Sequence, residues 1–239
     1  MCFSANMSLG MGVAGFIASA ITLADTKEAF WIRFARAFAI FHFSLMELIQ
    51  YFAYPVVDQC GYGSNLLLSE LSTYHIKLQA LAIMPALATY SSDPTALKKA
   101  ALGGLGLSTA FLLFGLLPSD MQIYQANPNF IGDLVLCLQK GVYHIAYSIN
   151  SAYGSIVTHG SLFALAFSGF LWKNNTRIAT YHFLMSILTL FVPQWFFGVT
   201  TGEGAAIYCF YSIVITGSFM PYFKKYFRAK NSPAELKLC

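Results

Sequence analysis

Seven apolar blocks separated by polar stretches organise the chain. They run near Ser8–Ala24, Trp31–Val56, Tyr74–Tyr90, Leu97–Leu117, Asn150–Trp172, Ala179–Phe197 and Ala205–Tyr222. Crossing about 30 Å of hydrocarbon takes roughly 20 helical residues, and these blocks are near that length. The pattern predicts an all-α fold: a polytopic membrane bundle of seven transmembrane helices forming a single domain over residues 1–239. Two longer connections, Val57–Thr73 and Pro118–Ile149, interrupt it. The semi-apolar part of the second, Asp133–Ile149, predicts a helix lying at the membrane interface or re-entering the bundle.

Charge gives the pattern a direction. Counted on seven spans, twelve basic residues fall on one side: Lys27, Arg33, Arg36, Lys98, Lys99, Lys173, Arg177, Lys224, Lys225, Arg228, Lys230 and Lys237. Only Lys77 and Lys140 fall on the other, with Asp58, Glu70, Asp120, Asp133 and Glu203. Basic residues collect in the cytoplasm, so the N-terminus is expected outside and the C-terminus inside. Six or eight spans would scatter the charges. The basic residues sit in short runs between apolar blocks, so the net charge of +4 is not a nucleic-acid footprint. The expected partner is the lipid bilayer, with other membrane subunits or a homo-oligomer as further possibilities.

Composition agrees. Charged residues are 10% of the chain, against about 25% in soluble domains, and mean hydropathy is +0.59. Met1–Ser8 carries no Lys or Arg, so Ala18-Ser19-Ala20 is not expected to be a signal-peptide cleavage site. The N-x-[ST] patterns at Asn6 and Asn174 are expected to be unused, the first abutting the membrane and the second cytoplasmic.

This topology places Cys2, Cys60 and Cys137 outside, where oxidation permits disulfides. Cys60–Cys137 is the favoured pairing, because it would tie the two long connections together. Three reduced thiols are the alternative.

Ionisable residues inside a membrane are functional candidates by default. At about 100° per residue, Glu47 shares a helix face with Arg36, Ser44, Gln50, Tyr51 and Tyr54, and this polar stripe should face the bundle interior. Glu47 could accept a proton, bind a cation or anchor a substrate. It could equally be a structural acid bonded to a neighbouring helix. His42 lies about 140° around from Glu47 and needs a partner on another span. His75, His144 and His159 fall on the outer side and are possible metal ligands. No H-x-x-x-H or H-E-x-x-H spacing supports them, and packing histidines are the favoured reading. His182 is expected at the cytoplasmic interface.

Several function classes lack their residues. The last block contains no Lys for a retinal Schiff base, and the G-x-S-x-G and GxxxxGK[ST] patterns are absent. The Asp-Arg-Tyr and Asn-Pro-x-x-Tyr patterns of common G-protein-coupled receptors are also missing. Gly10, Ala14 and Ala18, and Gly103, Gly104 and Gly106, predict close helix packing. Pro193 should kink the sixth span.

The opening Met1-Cys2-Phe3-Ser4-Ala5, followed by a small-residue span, resembles an uncharacterised family of multi-pass membrane proteins from bacteria, microbial eukaryotes and large DNA viruses. That family carries a Gln and a Glu three residues apart in its second span. Here Glu47 and Gln50 stand in exchanged order. The resemblance implies a multi-pass architecture and an important Cys2, and brings no activity or cofactor. With Met1 removed, the amine and thiol of Cys2 could bind a metal, act as a nucleophile or take a lipid. The alternative is a small hydrophobe seating the N-terminus.

The residues thus favour binding or transport of a small solute or ion along the polar face of the second span. A metal- or thiol-dependent membrane enzyme and an accessory subunit of a larger complex are the alternatives.

Overall fold

The computed structural model describes residues 4–60, 63–114, 137–141, 144–148, 168–172, 176–198, 203 and 211–220. The chain is mostly helical. The described helices are α1 (Ala5–Ala24), α2 (Phe30–Ala53), α3 (Gly63–Ala88), α4 (Ala96–Phe114), α5 (Thr176–Phe197) and α6 (Tyr211–Phe219). One two-stranded sheet joins them, β1 (Cys137–Lys140) and β2 (Ile145–Ser148). Against the seven crossings predicted from hydropathy, two described helices are long and apolar enough to cross a membrane by length and composition, Ala5–Ala24 and Ala96–Leu113. The Asn150–Trp172 block lies outside the described residues up to position 167.

Ser4 starts α1, its hydroxyl accepting from Met7 N at 3.3 Å. The helix then lays small residues on α2: Ser8, Gly12, Gly15, Ala18 and Thr22 are its buried positions. The close-packing stripe is therefore not Gly10-Ala14-Ala18, since Gly10 and Ala14 are exposed. A Cβ at Gly15 would overlap the Ser44 hydroxyl, and Gly10 has nothing within 4 Å. Ser19 seals the contact by donating to Ala37 O at 2.7 Å.

α3 differs most from expectation. It begins at Gly63 rather than Tyr74, so most of the predicted Val57–Thr73 connection is helix. Its polar residues hide inside the helix they interrupt. Ser69 donates to Asn65 O (2.8 Å), Ser72 to Leu68 O (2.8 Å) and Thr73 to Ser69 O (2.9 Å). Hydroxyls bonded to the preceding turn add little polar surface, and hydropathy does not register this.

α3 also packs on α4. A Cβ on Gly104 would lie 2.7 Å from Ala80 O, while Gly106 has nothing within 4 Å. Gly104→Ala should therefore destabilise by about 1–3 kcal/mol through backbone overlap. Gly106→Ala should be neutral or stabilise by up to about 1 kcal/mol through helix propensity. Thermal unfolding of the two variants in matched detergent checks the contrast.

Within Asp133–Ile149, predicted as an interfacial helix, the described residues instead form an antiparallel strand pair, Cys137 facing Ser148 and Lys140 facing Ile145. Its outer edge is held by side chains acting as a third strand. Asn65 accepts from Leu138 N (3.1 Å) and donates to Leu138 O (2.9 Å). Asp58 donates its N–H to Leu138 O (3.0 Å), and its carboxylate accepts from Lys140 N (2.7 Å). Asp58 adopts φ 64°, a left-handed conformation that Asp tolerates better than most residues. The Cys60 and Cys137 sulfurs are at disulfide distance, with Cα atoms 5.3 Å apart, so the favoured pairing is the one found. Leu138 and Ile145 pack with Met46, Ile49, Ala53 and Ile76 over the ends of α2 and α3. The main core is Ile40, Phe43, Ile83, Leu87, Ile215 and Phe219 with many alanines.

Candidate functional site

The polar face of α2 is buried as its periodicity predicts. Glu47 is 2% exposed, Gln50 0%, Ser44 1% and Arg36 3%, while Tyr51 and Tyr54 are half-buried. Ser44 donates to Ile40 O at 2.7 Å. Ionising a carboxyl group this deep costs free energy, which is what makes Glu47 a functional candidate.

His42 finds the neighbouring partner it needs. That partner is His75, which the earlier start of α3 carries to the middle of the helix. The two imidazoles stack with centroids 3.9 Å apart and planes within 9°. The His75 Nε2–H donates to the backbone oxygen of His42 at 2.6 Å. A metal must lie in the ring plane of each imidazole that ligates it, and two parallel rings share no such point, so the stack does not chelate. Two positive charges about 4 Å apart repel by about 4 kcal/mol at an effective dielectric of 20. The stack therefore suits one charge, not two.

His144 lies in the hairpin turn. Its backbone N–H donates to Glu203 Oε1 at 2.6 Å, and its Nδ1 accepts from Ile145 N at 2.6 Å. Its ring tilts against Tyr54 at 6.2 Å. Glu203 is fully buried, and a Cβ on Gly141 would strike its carboxylate. Burial lowers the His144 imidazole from its ordinary 6.5 to about 4. The folded chain therefore holds His144 neutral where the unfolded chain takes up a proton. Its contribution is present in full above about pH 6.5 and is lost progressively as pH falls toward 4, on the order of 3 kcal/mol in all. Thermal unfolding across that window should show the loss, and His144→Gln should flatten it.

The sequence-derived metal candidates do not come together as a set. His75 stacks on His42, His144 sits in the hairpin, and His159 lies outside the described residues, as does Cys2. Among the described residues no three His, Cys, Asp or Glu side chains are grouped to hold a metal ion. His182 is a core residue rather than an interfacial one, 1% exposed and stacked on Phe219 at 5.6 Å.

At the other end of α2, Arg36 is bonded to Glu28 (2.6 Å) and to the Thr89 hydroxyl (2.8 Å), and lies 4.5 Å over the Tyr90 ring. The Tyr90 hydroxyl donates to Ser218 O. Sequence reading missed this arrangement, the Asn65 clamp and the histidine stack. Each joins residues far apart in the chain, and the Ser-rich neighbourhood of Asn65 was its only local signal.

Residues 6–229 match the model of DUF5765, a family of unknown function. The chain belongs to that family. The match leaves out the Met1–Ala5 signature and with it Cys2, and it covers the other site residues above. No curated protein and no solved structure matches the chain. Among the described residues of this DUF5765 chain, the interior of α2 and α3 gathers the most buried polar side chains.

Proposed function

We propose that this DUF5765 chain is a multi-pass membrane bundle, N-terminus outside, that binds and moves a small polar solute or ion along the buried polar face of α2. The observation that carries this is the inverted distribution of polarity. On α1 the buried residues are small or polar, while Val13, Ile17 and Ile21 are 46%, 57% and 50% exposed. On α4, Leu102, Leu105 and Leu113 are 61%, 52% and 59% exposed, while Ser108 is buried. Water disfavours such a surface and lipid accepts it. Exposed Trp31 near the start of α2 and exposed Trp195 near the end of α5 suit interfacial positions. The twelve-to-two division of basic residues supports the orientation.

Glu47 is the charge-handling group of the proposed pathway. Purified protein in proteoliposomes should take up one of four probes: protons, sodium, potassium or ammonium. Glu47→Gln, which keeps the side chain's size and much of its hydrogen bonding, should lower that uptake at least about tenfold. Unchanged uptake in the variant would remove Glu47 from the pathway.

A further inference from the structure

Among the described residues, the buried polar atoms that no hydrogen bond satisfies include His42 Nε2, His75 Nδ1 and Gln79 Oε1 in the α2–α3 interior. Their side chains are more than nine-tenths buried, at 7%, 5% and 4% exposure. The first two belong to the stacked rings, and Gln79 follows His75 by one turn on the same face of α3. Buried polar atoms are rarely left this way unless something binds them. The hydrogen bond from His75 Nε2 to the His42 carbonyl fixes the tautomer, leaving a lone pair on Nδ1 in the neutral ring. Gln79 Oε1 is also an acceptor. The place lacks a donor.

We infer that the His42–His75 stack is a binding site for one proton, carried on His75 Nδ1, which deepens the pathway reading above by naming its ion. Hydronium gives its proton to Nδ1 and leaves as water, and the lone pair of Nδ1 forms the new N–H bond. The Nε2–H stays on the His42 carbonyl, where the bond becomes charge-assisted. The neutral His42 ring presents its π face to the cation. A second proton would set two cations face to face, so the site holds one.

The other charged and titratable groups nearby are few. α1 contributes no Asp, Glu, Lys, Arg or His. On α2 are Arg33, Arg36, Glu47 and Tyr51, on α3 Glu70, Tyr74 and Lys77, with Tyr54 in the turn after α2. α4 brings Lys98 and Lys99, the hairpin Lys140, His144 and Tyr147, and α6 only Tyr211. Several are engaged elsewhere: Arg36 with Glu28, Lys99 with Asp93, and Lys77 over the Tyr74 ring.

The test is nitrogen NMR on full-length protein with 15N-labelled histidine in lipid nanodiscs, titrated from about pH 8 to about pH 4. His75 Nδ1 should pass from the unprotonated to the protonated signal while His42 stays neutral. His75→Gln should remove that transition, and His42→Gln assigns the remaining ring. Because the wild-type spectrum decides, a variant that fails to fold does not block the test. Both rings becoming cationic overturns the inference. So does a His75 that stays neutral throughout, which would mean bound water alone. A proton on His75 together with normal uptake by Glu47→Gln would keep this site and remove the Glu47 pathway. Uptake lost in Glu47→Gln with His75 neutral would do the reverse.

Discussion

Arg36→Ala is expected to cost about 3–5 kcal/mol, the largest loss of any single substitution considered. Arg36 is a buried cation whose partners come from two places, one of them linked to a third. Glu28 precedes α2, Thr89 and Tyr90 follow α3, and Tyr90 links on to α6 through Ser218. Truncation leaves the Glu28 carboxylate, 10% exposed, without its cation. It also strips the Thr89 hydroxyl of a donor and uncovers the Tyr90 ring. Arg36→Lys keeps the charge but not the planar fork that reaches Glu28 and Thr89 together, so it should recover only part of the loss. Chemical denaturation of the two variants beside the wild type gives the comparison. A loss under about 1 kcal/mol for Arg36→Ala would mean that the pair behaves as a solvated surface bridge.

Asn65→Ala is expected to cost about 3 kcal/mol and to loosen the hairpin. Asn65 is fully buried and bonds both the N–H and the C=O of Leu138 in β1, while also donating to Val56 O at 2.7 Å. Val56 O and Leu138 O keep a second donor each, from Gln59 N and Asp58 N. Leu138 N loses the acceptor that the Asn65 side chain provides, and an unmet buried N–H costs about 1–3 kcal/mol, to which the cavity adds. Asn65→Asp keeps the acceptor but sets a carboxylate against two carbonyl oxygens, so it should not rescue. Hydrogen exchange at the amide of Leu138 should rise in Asn65→Ala out of proportion to the amides of α2 and α3, which distinguishes loss of the clamp from general destabilisation.

These two positions show where sequence reading stops. Helix periodicity made the buried face of α2 legible, because Glu47, Gln50, Ser44 and Arg36 recur at helical spacing against an apolar background. The Cys60–Cys137 pairing was legible because few cysteines were available to tie the outer connections together. The start of α3 was not, because Asn65, Ser69, Ser72 and Thr73 look like a loop until the three hydroxyls are seen bonded to their own helix and the Asn65 amide to the hairpin. That error moved His75 out of the bundle interior and hid its stacking on His42, 33 residues away. The hairpin was misread for a related reason. A semi-apolar stretch of this length fits either a helix or two short strands. What decides it is Asn65 and Asp58 supplying an edge from a distant part of the chain.

The central claim is that exposed apolar faces meet lipid while the polar face of α2 does not. Spin labels placed singly at Val13, Ile17, Leu105 and Leu113 in bilayer-reconstituted protein test it most directly. Their collision rates with oxygen, which concentrates in lipid, and with a water-soluble nickel chelate would be compared. The account predicts high oxygen and low nickel accessibility at all four positions. High nickel accessibility at Ile17 and Leu105 would place these helices in water and contradict it.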